Sequence, residues 1–104
     1  MNEEAVLVFL DGQGLSSEVY RNNDLSTLED LVVEQIAALK VGELDGHEWS
    51  KTGTVIYLYG ADAELLYSTV KPVLLSYPLC QNSRVIIRRG GPGSLQREVV
   101  IPAA

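Results

Sequence analysis

Cysteine occurs once in the chain, as Cys80, and histidine once, as His47. A single cysteine forms no internal disulfide, and together the two fall short of the ligand sets that structural zinc sites draw on. The fold must therefore rest on its own core, and the lone thiol fits a reducing compartment. Basic residues are scarce too: eight Lys/Arg stand against fourteen Asp/Glu, for a formal net charge of −6. A surface of that sign is repelled by a phosphate backbone, which disfavours general nucleic-acid binding. Long apolar runs are missing as well. The run Ala5 to Leu10 is too short for a membrane span, and the opening Met-Asn-Glu-Glu is acidic where a secretory leader is basic. Together these shortages predict a cytoplasmic protein with no membrane segment.

What remains is ordinary globular composition, 46% hydrophobic and 21% charged over 104 residues. That length supports one domain, spanning 1–104, with enough interior to fold without a covalent or metal staple. Charge is unevenly placed: residues 1–52 carry eleven acids and three bases, residues 53–104 three acids and five bases. Complementary docking within or between subunits is the expected use of that asymmetry.

AVLVFL, residues 5–10, is a continuous apolar run stopped by Asp11-Gly12, the pattern of a strand buried on both faces. Residues 13–24 are polar and predict a loop. Ser26-Thr-Leu-Glu29 has capping-box spacing and predicts a helix start, followed by a stripe of Leu28, Leu31, Val32, Ile36 and Leu39 that ends at Lys40 and Gly42. Gln35 falls inside that apolar arc and is expected to be partly exposed. Residues 43–52 alternate poorly and carry charge, as an edge strand does. They turn through Thr52-Gly53 into the β-branched and aromatic run Thr54 to Tyr59. Asp62 is the expected cap of a second helix with Leu66, Val70, Val73 and Tyr77 inward, and Pro72 should kink or restart it. Pro78 ends it. Arg84 to Arg88 and Arg97 to Ile101 then read as strands joined by a glycine-rich loop.

The order β-α-β-β-α-β-β predicts an α+β domain: a ferredoxin-like split βαβ with an extra C-terminal strand and helices on one face of an antiparallel sheet. Helices on one side leave the other face open, yet the first and third strands are apolar on both. Val55, Tyr57 and Tyr59 would project from the open face, and a patch of that kind calls for a second subunit, a ligand or the chain's own tail. A homodimer, or another protein partner, is the simplest expectation.

Four chemical readings compete with that one. RVIIRRGGPG, residues 84–93, sets arginines beside bare backbone N–H groups, and an anion or other small ligand could use Arg84, Arg88, Gly90, Gly91 and Gly93. The loop nevertheless joins two strands and lacks the Lys-Ser/Thr of a phosphate-binding loop before a helix, so hairpin chemistry explains the glycines. Cys80 with His47 would make a nucleophile and base, but no oxyanion-hole loop accompanies them, and a lone cysteine between Leu79 and Gln81 is the composition of packed core. Asp45, His47 and Glu48 offer too few ligands on one side of a strand for a metal. Tyr57 and Tyr59 could stack RNA bases, but the glycine and basic residues of that sheet motif are missing. No catalytic residues, cofactor or metal are therefore assigned.

YLYGADAELL, KPVLLSYPL and RVIIRRGGPG together resemble a set of small uncharacterised bacterial α+β proteins of the mobile gene-cassette type. Their pattern is roughly Tyr-x-Tyr-Gly-x-Asp-Ala, a Pro-Val-Leu, and an Arg before Gly-x-Pro-Gly. Tyr57, Tyr59, Gly60, Asp62, Ala63, Pro72, Arg88, Gly90 and Gly93 carry the resemblance, while Arg89-Gly90-Gly91 departs from that group's Arg-aromatic-Gly. The resemblance implies no activity.

Overall fold

The computed structural model describes residues 3–102. Five strands, β1 (Glu4–Phe9), β2 (Glu43–Ser50), β3 (Gly53–Gly60), β4 (Arg84–Arg88) and β5 (Gln96–Val100), form one antiparallel sheet in the order β2-β3-β1-β4-β5. Three helices accompany it: α1 (Ser17–Asn22), α2 (Leu25–Leu39) and α3 (Ala63–Ser76). The architecture is α+β. None of these helices is long and apolar enough to cross a membrane.

Alternation along the strands explains the layers. Val6 and Val8 of β1, Ile56 and Leu58 of β3, and Val85 and Ile87 of β4 stand level in the register and are buried against the helices. Leu28, Val32 and Ile36 of α2, spaced one turn apart, meet Leu66, Val70 and Leu74 of α3 over that surface. Burial of side chains this size stabilises by about 1.5–3 kcal/mol each before conformational entropy is set against it. Tyr77 closes the layer by donating its hydroxyl to the Asp24 carbonyl at 2.8 Å, which ties the end of α3 to the start of α2.

Four expectations need correction. The 13–24 segment is not all loop: α1 lies within it, started by Ser16, whose hydroxyl accepts from the Val19 N–H at 3.3 Å. α1 buries no residue and so leaves no apolar stripe in the sequence. The second is the Ser26–Glu29 capping box, which does not form. α2 begins two residues earlier, with Asp24 at the N-cap position, and the Ser26 and Thr27 hydroxyls donate to the Asp24 carboxylate at 2.6 and 2.7 Å. Glu29 turns away to His47. Third, the α2 stripe is narrower than its composition implies, because the helix packs only on β2 and α3. Leu31 and Leu39 stay exposed, the latter at 62%. Finally, α3 runs unbroken through Pro72. Pro72 and Ser68, whose carbonyl loses its donor there, are both exposed, so solvent can satisfy that carbonyl.

Asp62 caps α3 as expected, accepting from the Leu65 N–H at 3.1 Å. The C-terminal segment starts its strand at Gln96 rather than Arg97. Ile101 then extends the ladder by donating to the Ser83 carbonyl at 2.9 Å and buries its side chain in the core. The tail up to residue 102 therefore joins the sheet edge instead of folding across the open face.

Candidate functional site

The sheet face away from the helices carries the side chains left over from the core. Strand register arranges them in three rows. The middle row runs Gly46, Tyr57, Leu7, Ile86, Glu98 across the five strands. On one side lies the row Glu48, Val55, Phe9, Arg84, Val100, and on the other Glu43, Tyr59, Ala5, Arg88, Gln96. Leu7, Phe9, Val55, Tyr57, Tyr59 and Ile86 are half-buried on the face opposite the helices. Ala5 is fully buried between Tyr59 and Arg88.

Charge on this face is polarised. Acids occupy edge strand β2, and arginines occupy β4, two strands beyond the aromatic centre. The Tyr57 hydroxyl donates to Glu48 Oε1 at 2.7 Å, and that bond to a carboxylate holds the Tyr57 pKa above the usual phenol value. Arg84 lies over the Phe9 ring, 5.1 Å from its centroid, and reaches Glu98 at 3.2 Å. Arg88 donates from Nε to the Gly90 carbonyl at 2.8 Å, fastening the strand end to the loop. That loop closes by the Arg89 N–H donating to the Leu95 carbonyl, with Gly93 at φ 89, a left-handed value that suits glycine.

Of the residues singled out by sequence, Val55, Tyr57 and Tyr59 do share the open face. Arg84 and Arg88 share it as well, four residues apart or about 13 Å along the strand. Each has its own partner; Gly91 and Gly93 are exposed beyond them, and Gly90 is buried. Arg97 points the other way, clasping Glu64 of α3 through two 2.7 Å bonds that hold the Glu64 carboxyl below its ordinary range.

Cys80 and His47 belong to different surroundings. Cys80 is fully buried in a short turn at Pro78–Cys80, and burial pushes its thiol up to about 12. The ring of His47 projects to the helix side and bonds Glu29 at 2.8 Å. Between Leu44 and Gly46 the ladder bulges at Asp45, and His47 and Glu48 face opposite sides of β2. Among the described residues no three His, Cys, Asp or Glu side chains gather as a metal-binding group.

Sequence reasoning missed several members of the face. Leu7, Phe9 and Ile86 are as central as Tyr57, and period-two alternation of β1 against β3 was the signal that places them. It also missed a cleft of about 550 Å³ where the face meets the β2–β3 turn, lined by Phe9, Asp11, Glu48, Trp49, Asn82 and Arg84 among others. Trp49 is 77% exposed beside it. Asp11 there accepts from the Gln13 and Gly14 N–H groups at 3.0 and 2.8 Å, which lowers its pKa. Contacts of that loop across 40 residues of chain left no local pattern to read.

No family model, curated protein or solved structure matches the chain.

Proposed function

We propose that this chain is a non-catalytic interaction module that works as a homodimer through its uncovered sheet face, in a cytoplasmic setting. The observation that carries the reading is the apolar centre of that face: six aliphatic and aromatic side chains in adjacent register positions, covered by no element among the described residues. Soluble monomers rarely leave such a contiguous patch in water. The position of β1 between β3 and β4, with β2 outside β3, supports describing the domain as a ferredoxin-like split βαβ to which β5 has been added at the edge.

Light scattering across a concentration series tests the reading. The parent chain is expected at twice its 11.4 kDa mass in the micromolar range, and the Tyr57→Ala, Tyr59→Ala double variant at the single-chain mass. A parent chain that stays monomeric at every concentration overturns it.

A second reading rests on Arg84 and Arg88 sharing the open face beside exposed Gly91 and Gly93, which offers a small anion both charge and backbone N–H groups. Phosphate at about 100 times its dissociation constant would then stabilise the protein by roughly 2.7 kcal/mol, and Arg88→Ala would abolish the shift. A flat response across phosphate, nucleotides and carboxylates removes this alternative.

A further inference from the structure

The open face is self-complementary in only one of the two ways it can meet a copy of itself. This inference rests on the homodimer reading above and deepens it. Two sheets stacked face to face with aligned strands by a two-fold axis have that axis along the strands or across them, and the three rows decide between the two.

Take first an axis across the strands, through Leu7. β2 then lies over β2 of the second copy and β4 over β4, with the outer rows exchanged. Glu43 meets Glu48, Arg84 meets Arg88, and Glu98 meets its own counterpart. Every charged position on the face is set against its own sign, which suppresses association.

An axis along the central strand β1 reverses the strand order and keeps the rows. β3 now lies over β4 of the other copy. Tyr59 lies over Arg88, placing a guanidinium on a phenol ring, and Tyr57 packs on Ile86. Glu48 lies over Val100 and Glu43 over Gln96 of the other copy, each one strand, about 4.8 Å, to the side of Arg84 and Arg88, while Arg84 itself lies over Val55. Leu7 and Phe9 each meet their own counterparts on the axis, while Ala5 stays buried between Tyr59 and Arg88 of its own chain. Each acid of β2 finds the basic half of its neighbour, and the apolar centre is sealed.

We propose that the chain dimerises face to face about a two-fold axis running along β1, so that the Tyr59 side of one copy covers the Arg88 side of the other. The footprint fits. Five strands about 4.8 Å apart and three rows about 6.7 Å apart give a planar contact of about 480 Å². Side-chain relief raises the accessible area per copy above that figure, towards the roughly 800 Å² per partner of a standard interface. Paired sheets would lie about 10 Å apart, with strand directions within about 30° of each other.

Single-cysteine cross-linking with a short bis-maleimide separates the possibilities, using the otherwise intact chain with buried Cys80 as its own background control. Facing positions lie about 7 Å apart, whereas positions displaced by four residues lie a further 13 Å along the strand. Leu7→Cys reports stacking of the two faces with either axis. Phe9→Cys alone is expected to give a covalent dimer, since it meets itself on the axis. Should Phe9→Cys fail alone while an equal mixture of Val55→Cys and Tyr59→Cys cross-links, the axis runs across the strands, and this proposal falls while the homodimer stands. Leu7→Cys that never cross-links, with a single-chain mass by light scattering, overturns the homodimer itself and assigns the face to a different partner. Circular dichroism of each variant confirms folding, and Ile86→Cys mixed with Tyr57→Cys provides a second pair that meets only with the axis along β1.

Discussion

Ser83 shows how much a single atom can disclose. Its side chain is fully buried at the start of β4, and its hydroxyl oxygen finds no hydrogen-bond partner among the described residues, although its backbone N–H and carbonyl are both paired. A buried hydroxyl without a partner costs about 1–3 kcal/mol of desolvation, so Ser83→Ala is expected to stabilise the fold by about 1 kcal/mol, read as a rise in thermal midpoint. A fall instead would mean that the hydroxyl is satisfied. Arg97 makes the opposite kind of contact, with both guanidinium bonds on Glu64 at the surface. Because Glu64 is held below its ordinary value of 4.5 in the folded chain, the pair stabilises above that pH and loses its contribution as pH falls through the folded value. Arg97→Ala should therefore lower the midpoint at pH 7 and lower it less at pH 3, a small difference, since exposure screens the pair. Equal effects at both pH values would assign Arg97 a packing role over Tyr67, whose ring centroid lies 5.8 Å from it.

Elements differ in how legible they are, and the difference follows from what each buries. β3 and α3 could be read directly: TVIYLY is β-branched and aromatic, and Asp62 stands one turn before a stripe that the core uses at Leu66, Val70 and Val73. α1 was invisible because it fully buries no residue and packs on the core only through half-buried Tyr20, and a helix without a stripe differs from a loop only in its cap. The start of α2 was misplaced because Asp24, Ser26 and Thr27 are all capping residues, and tertiary contacts chose among them: His47 took Glu29 away from the capping box. Pro72 was legible as a disturbance but not as one the helix absorbs. Proline in a helix interior costs up to about 3 kcal/mol relative to alanine, and Pro72 is exposed with no packing to lose, so Pro72→Ala is expected to stabilise by about 2 kcal/mol. Denaturant unfolding with an unchanged slope and a higher midpoint would show it; a lower midpoint would mean that the proline's restriction of the unfolded chain outweighs the restored hydrogen bond.

At the scale of the whole molecule, the charge asymmetry counted along the chain becomes a charge gradient across one surface. The acid-rich first half supplies edge strand β2, the base-rich second half supplies β4, and the topology places them on opposite sides of the apolar centre. Sequence alone could state the imbalance and the open face. It could not join them, because only the register puts Glu48 level with Arg84 in one row and Glu43 level with Arg88 in another. That join has a consequence for affinity. With the axis along β1, Glu48 of one copy lies beside Arg84 of the other. Glu48→Lys would then set two cations together twice per dimer and weaken self-association about tenfold or more, while added salt would narrow the gap between variant and parent. With the axis across the strands, Glu48 would instead face Glu43, and the same substitution would strengthen the dimer. Sedimentation at two salt concentrations reads the sign directly. Pairing Glu48→Lys with Arg84→Glu in one chain restores opposite charges across the interface, so recovery of the parent affinity in that double variant would place the coupling between subunits rather than within the Tyr57–Glu48 contact of one fold.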